Sequence, residues 1–337
     1  MPADVVVADE ARCALGEGPV WDPIRGQLLW IDILGGVIHV GALRADRSVE
    51  RIESVRPRSG GTITAVAVAE SGAWIIAEQD GVAIRHPNGW FERGARLLPP
   101  DGSRRLNDGK PDPAGRFLVG SLCQLGSSKT EELFRIEEDG GVLVVDDDLT
   151  LSNGLAWAPD GHTMYSVDTG SRSIMARHYD PATGVMGSRC THVQIESGSP
   201  DGICIDSQGH HWVAIWGAGA VHRYSPDGTL NHVIHVHAPH TSSVAFAGPD
   251  LDTLIITTPH PGLNRRTTGG VPAFRMPVRG HPGSSRPPCG TESCRPTPQR
   301  RGPHETHPCR QSWCREASRP DRRRTIRRRL GSGHRFR

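Results

Sequence analysis

Four oxygen-bearing side chains recur at one place in a repeating sequence. Glu17, Asn107, Asn153 and Asp201 each stand where a unit opens: EGPVWDPIRGQ, NDGKPDPAGR, NGLAWAPDGH and DGICIDSQGH. Two carboxylates and two carboxamides, with room left for water, form a donor set that hard divalent cations accept. Two unpaired carboxylates in a narrow space repel each other, and a cation between them offsets both charges. A second reading stands beside this one. Asn-Gly and Asp-Gly are also turn dipeptides, so Asn153-Gly154 and Asp201-Gly202 read equally as hydrated turns.

The units themselves say what must position these residues. They open at Glu17, Thr62, Asn107, Asn153, Asp201 and Ser242, at steps of 45, 45, 46, 48 and 41 residues. Each runs through a short strand, a turn such as DPIRGQ, DPAGR, APDGH or DSQGH, a second apolar strand, a Gly- or Asp-rich turn and a third strand. Periods of 40–50 residues with about four short strands each indicate a β-propeller. The expectation is an all-β, six-bladed propeller over residues 17–280, with the opening residue of each unit beside a central channel. The strand at residues 4–8 (DVVVA) is expected to pair into the last blade and remove the sheet edges. A content of 40 Gly and 27 Pro in 337 residues fits turn-rich β-structure and excludes a helical bundle.

The net charge of +2 hides an asymmetry. Residues 281–337 hold fifteen Arg, no Lys and four acids, a net +11, whereas residues 1–280 hold 24 basic and 33 acidic residues, a net −9. The basic segment has almost no Val, Ile, Leu or Phe and no hydrophobic period. It cannot bury enough apolar surface to offset its ordering entropy, so a disordered tail at 281–337 is expected beside a propeller domain at 1–280. Three readings of that tail stand: a non-functional, out-of-frame extension, a basic arm for anionic partners, or a zinc site from Cys289, Cys294, Cys309, Cys314, His304 and His307. The other four cysteines, Cys13, Cys123, Cys190 and Cys204, are expected to be buried thiols.

Several function classes drop out. No apolar run approaches the roughly 20 residues that span a bilayer. The opening MPADVVVADEARC has neither a basic n-region nor a long apolar h-region, so a cytoplasmic location without a membrane partner is expected. There is no GxSxG elbow for a serine esterase and no phosphate-binding glycine pattern. His210, His211, His235, His237 and His240 fall in turns and outer strands by register, and are expected at the surface. Nucleic acid is supported as a partner only by the tail, and nothing in the sequence speaks to oligomeric state.

The stretches LGEGPVWD (15–22), RLNDGKPDPAGRFLVGSL (105–122), LSNGLAWAPDG (151–161) with YSVDT after it, and PDGICIDSQGHHWVA (200–214) resemble the gluconolactonase/regucalcin-like family, which includes senescence marker protein and luciferin-regenerating enzyme. The resemblance spans about residues 5–280, with the motifs in order and at matching spacing. It implies a six-bladed propeller with one divalent metal in its channel (Ca, Zn, Mg or Mn) and hydrolysis of a sugar lactone, an aldonolactone such as gluconolactone, as part of carbohydrate metabolism. It implies Glu17, Asn153 and Asp201 as metal ligands, Asn107 as a contact to substrate or to a water on the metal, and Arg105 as a substrate contact.

In the mechanism that follows from this resemblance, the metal polarises the lactone carbonyl and stabilises the oxyanion. Asp201 acts as the base toward water, and Asn107 positions that water or the ring oxygen. Arg105 donates to sugar hydroxyls; its alternative is a surface salt bridge. Asp108 is expected to fix a turn. Two other functions stay open, a non-catalytic metal-binding propeller and a metal-dependent phosphotriesterase-type hydrolase. The sequence departs from the family pattern twice. Cys123, Gln124 and Leu125 stand where some members place a substrate-contacting Glu, and the segment from Pro259 to Gly283 is short and irregular, with residues 274–278 expected as a closing strand.

Overall fold

The structure is a computed structural model and describes residues 5–9, 13–57, 60–137, 139–259, 271–275 and 323–324, in which strands and turns occur and no helix. After β1 (Val6–Asp9) come five meanders of consecutive strands. The first is β2 (Gly16–Asp22), β3 (Gln27–Asp32), β4 (Val37–Leu43) and β5 (Val49–Val55); the second is β6 (Ile63–Val68), β7 (Trp74–Glu78), β8 (Gly81–Arg85) and β9 (Phe91–Arg96). The third is β10 (Arg104–Pro111), β11 (Phe117–Cys123), β12 (Glu131–Ile136) and β13 (Val142–Leu149); the fourth is β14 (Ser152–Trp157), β15 (Thr163–Asp168), β16 (Ser173–His178) and β17 (Cys190–Gln194). The fifth is β18 (Ser199–Ile205), β19 (His211–Trp216), β20 (Ala220–Tyr224) and β21 (Leu230–His235). A last sheet combines β22 (Ser243–Ala247), β23 (Thr253–Thr257), β24 (Val271–Arg275) and β1.

All pairings are antiparallel, and the innermost strands β2, β6, β10, β14, β18 and β22 touch one another in that order, with β22 also touching β2. The fold is thus a β-propeller with five regular blades and a composite last sheet, in place of six equivalent blades. The expected pairing of the chain start holds: Val6 and Val7 lie opposite Ala273 and Pro272. The closing strand begins earlier than residues 274–278, at Val271, and Met276–Val278 lie outside the described residues.

The sequence forms these sheets because each sheet is covered on both faces by its neighbours. The middle strands are therefore continuous apolar runs rather than alternating ones. Leu28–Ile31, Trp74–Ala77 and Trp212–Ile215 are buried throughout, while the outermost β5 and β21 are mostly exposed. Apolar clusters fill the gaps between sheets. Leu29, Ile31 and Val40 meet Ile63, Val66 and Ile76, and Leu28 and Trp30 meet Ala8, Ala247 and Ile255 where the last sheet meets the first.

The recurring turns have a local cause. The carboxylates of Asp22, Asp112 and Asp206 are buried and each accepts two backbone N–H bonds from its own turn, for example Ala114 at 2.8 Å and Arg116 at 2.9 Å on Asp112. The turn glycine then takes φ 92° at Gly115 and 82° at Gly209, a conformation L side chains rarely adopt. Of the body cysteines, Cys13 and Cys204 are buried, and burial pushes their thiols up to about 11 and about 12; Cys123 and Cys190 are only half-buried, and among the described residues none of the four forms a disulfide.

The segment 281–337, including its cysteines and His304 and His307, lies outside the described residues except for Arg323–Arg324 (β25), whose backbone pairs with Leu143 and Val142 of β13. No helix of the described residues is long and apolar enough to cross a membrane.

Candidate active site

The turn reading, made for Asn153-Gly154 and Asp201-Gly202, is not what the structure shows for any of the four oxygen-bearing residues. All four lie inside the innermost strands, and in each case the ladder slips at that point. The register shifts between Glu17 and Val20, between Leu106 and Gly109, between Ser152 and Leu155, and between Pro200 and Ile203. A β-bulge turns a side chain out of the alternating pattern and is a common way to re-aim one at a site. The glycines after Asn153 and Asp201 serve close approach rather than a turn. A Cβ on Gly154 would sit 2.6 Å from the Asp201 carbonyl oxygen and 2.7 Å from the Ile203 nitrogen, and one on Gly202 would overlap Ser243.

Electrostatics bring the residues together. Asp201 is 6% exposed and its carboxyl is raised well above the usual range, first by burial, then by the Glu17 and Asp108 carboxylates, against the Asn153 amide and Arg105. Glu17 is pushed up to about 8 by burial and by Asp108, with the Gly18 N–H and Arg105 opposing. Asp108 is likewise raised by burial, with Lys110 the main opposing charge. Arg105 lies within the fields of both Glu17 and Asp201. Glu17, Asn153, Asp201 and Arg105 thus form one cluster, and Asp108 belongs to it.

Asp108 was not legible as a site residue, because Asn107-Asp108-Gly109 reads as a turn. In the structure it is a strand residue at the bulge, and its Oδ1 accepts the adjacent Gly109 N–H at 2.8 Å. The salt-bridge alternative for Arg105 falls as well. Alternation along β10 sends Arg104 away from the channel to Glu131 (3.0 Å) and Glu132 (2.9 Å), while Arg105 turns inward.

Hydrogen bonds orient both amides. Asn107 Nδ2 donates to the Ser152 carbonyl (2.9 Å), and its Oδ1 accepts from Arg105 Nη1 (2.8 Å). Asn153 Nδ2 donates to Thr169 Oγ1 (3.0 Å). Contacts between sheets brace this level of the channel. Gly202 N–H donates to the Ser242 carbonyl (2.8 Å), and Ser242 Oγ donates to the Gly16 carbonyl (2.6 Å), one residue before Glu17. The Asp32 carboxylate accepts from Ala14 and Leu15, and that of Asp168 accepts from Thr150 and Leu151, so each fixes the backbone leading into Glu17 or Asn153.

The donor set fits a divalent cation on one structural observation in particular. Asp201 Oδ1 is buried and has no hydrogen-bond partner, beside a second raised carboxylate. Such an atom is costly unless a positive group satisfies it. The histidines do not supply this chemistry. His235 and His237 are exposed and His240 is half-buried. His211 departs from the surface expectation: it is fully buried, with its ring 4.2 Å from Tyr165 and 5.0 Å from His192, centroid to centroid.

Known proteins share this sequence and architecture. The model of the SMP-30/gluconolactonase/LRE-like region matches residues 15–260. The chain is 34% identical over 251 residues to the pentonolactonase of Haloferax volcanii, covering 74% of this chain and 83% of that protein. It is 35% identical over 250 residues to the 6-deoxy-6-sulfogluconolactonase of Pseudomonas putida, covering 72% and 83% respectively. The crystal structure of a calcium-binding protein, regucalcin, from Agrobacterium tumefaciens superposes with a TM-score of 0.77 at 28% identity, over 85% of this chain and 99% of that one. The family match contains all of the clustered residues, and the chain belongs to the SMP-30/gluconolactonase/LRE-like family.

Proposed function

We propose that the chain is a divalent-cation-dependent lactonase that opens a sugar lactone to the aldonic acid, with residues 1–280 as its propeller domain. The observation that carries this reading is the buried, unpartnered Asp201 Oδ1 beside Glu17. Glu17, Asn153 and Asp201 would hold the cation through two carboxylates and an amide oxygen. Oxygen donors suit Ca, Mg or Mn and accept Zn. The similarity to the calcium-binding regucalcin of Agrobacterium favours Ca among them.

When bound, the cation supplies Lewis-acid polarisation of the carbonyl and charge for the developing oxyanion. The residues do the rest. Asp201 orients the attacking water and takes its proton, a role open to a carboxylate placed beside the water. The proton returns to the ring oxygen as the C–O ester bond breaks, leaving a carboxylic acid and a free hydroxyl. Asn107 orients water or the ring oxygen. Arg105, already held by Asn107, has further N–H groups with which to bind substrate hydroxyls.

Lactonase names among the relatives support the substrate class. The test compares aldonolactones with a phosphotriester in a pH-indicator assay of the cation-loaded protein and of Asp201→Asn. Turnover of a lactone that falls at least about a hundredfold in Asp201→Asn is expected. Undiminished turnover in that variant, or turnover of the phosphotriester alone, overturns the reading.

A further inference from the structure

We infer that the hydroxyl of Thr169 is the device that aims the Asn153 amide oxygen into the channel. The inference rests on the cation reading above and concerns a residue that does not itself reach the cation. Thr169 follows β15 in the fourth sheet, outside the innermost strand. Its Oγ1 donates to the Pro200 carbonyl of the fifth sheet at 2.8 Å. A hydroxyl has one hydrogen, so once it is given to Pro200 the oxygen can only accept. The Asn153 side chain lies 3.0 Å from that oxygen. Only the Nδ2 end of the carboxamide can be favourable there, and the Oδ1 end must face away from Thr169.

Orientation matters because the two ends of a carboxamide have nearly the same shape and opposite chemistry. With Oδ1 inward the residue offers a cation an oxygen ligand; with Nδ2 inward it offers two N–H donors that a cation repels. Pro200 directly precedes Asp201, so the same hydroxyl also ties the Asp201 backbone to the fourth sheet. Thr169 itself is held in place from both sides. Its N–H donates to the Leu151 carbonyl at 3.1 Å, and its own carbonyl accepts from the Arg172 N–H at 3.0 Å. Thr169 is a positioning residue, and its effect passes through Asn153.

The test is a double-substitution cycle read by calorimetric titration of chelator-treated protein with Ca2+, Mg2+, Mn2+ and Zn2+, with no substrate present. Thr169→Val keeps the shape and removes the hydroxyl; Thr169→Ser restores it. Thr169→Val is expected to weaken cation binding roughly three- to tenfold, the worth of one lost hydrogen bond, and Thr169→Ser to recover most of that loss. Asn153→Asp presents two equivalent oxygens and has no wrong end. In that background Thr169→Val is expected to change affinity by less than about twofold. Equal losses in both backgrounds, or none in the Asn153 protein, overturn the inference. Should Thr169→Val fail to fold, the comparison of Thr169→Ala with Thr169→Ser in both backgrounds gives the same reading. A wild-type protein that binds none of the four cations would instead overturn the cation reading, so the two failures are distinguishable.

Discussion

Replacing Gly154 by Ala probes how tightly the fourth and fifth sheets are sprung around the site. The added Cβ would lie 2.6 Å from the Asp201 carbonyl oxygen, 2.7 Å from the Ile203 nitrogen and 2.8 Å from Ile203 Cγ2. Two of these neighbours are backbone atoms of the strand that carries Asp201, and they cannot rotate away. Restoring ordinary contact at 3.4 Å requires β14 and β18 to part by up to 0.8 Å. Overpacking of that kind costs about 1–3 kcal/mol, which for a domain of this size lowers Tm by roughly 3–10 °C. The same displacement moves Asp201 away from Asn153. Misplacement of catalytic groups by about 1 Å can cost on the order of a hundredfold in rate. Gly154→Ala is therefore expected to lose about 10- to 100-fold in kcat/KM in the pH-indicator assay, with a cation affinity that falls in parallel. Gly61→Ala is the control, since its Cβ would meet only Gln79 Cβ at 3.8 Å and its backbone is not in the left-handed region. Retention of both Tm and kcat/KM in Gly154→Ala would refute the packing argument and with it the claim that the bulge glycines set the site.

Other outcomes follow from the same structure. In cation-free protein the Glu17 carboxyl, raised from 4.5 to about 8, penalises the folded state as it ionises, so stability should decline by a few kcal/mol as pH rises from about 4.5 through 8; a saturating divalent cation should abolish the decline, and melting curves with and without chelator measure both. His211 is held neutral, lowered from 6.5 to about 3 by burial and then by His192, so its contribution is full above pH 6.5 and lost as pH falls toward 3; His211→Leu should flatten the acid limb of the Tm–pH curve, and an unchanged limb would contradict this. Lys110 Nζ donates to the Ile203 carbonyl at 3.1 Å, reaching from the third sheet to the fifth; Lys110→Met should lower stability by about 1–3 kcal/mol in denaturant melts.

The repeat made most of this architecture readable. A polar residue at the opening of four units, at nearly constant spacing, is enough to place Glu17, Asn107, Asn153 and Asp201 on innermost strands, because the period itself assigns the strand. What escaped depends on pairing rather than on residue type. The bulges at these positions have no local signature, since Asn-Gly and Asp-Gly within a strand look the same as in a turn. Asp108 was lost for that reason. Thr169 was lost because it belongs to the turn after the second strand, and only the three-dimensional neighbourhood shows Pro200 on one side of its hydroxyl and Asn153 on the other. The histidines show the limit of register reasoning: His235 and His237 are exposed as expected, but His211 faces the gap between the fourth and fifth sheets, where Tyr165 and His192 enclose it. The last sheet differs from the other five because the chain start supplies one of its strands.

The most direct measurement is lactone hydrolysis by the full chain across a panel of aldonolactones, first with a chelator and then with Ca2+, Mg2+, Mn2+ or Zn2+ restored one at a time. The account predicts that at least one lactone is hydrolysed, that chelation stops it, and that a divalent cation restores it in the wild type but not when Glu17 and Asp201 are replaced together by Gln and Asn. Hydrolysis that persists undiminished in chelator, or a cation-loaded protein that opens none of the lactones, would contradict it.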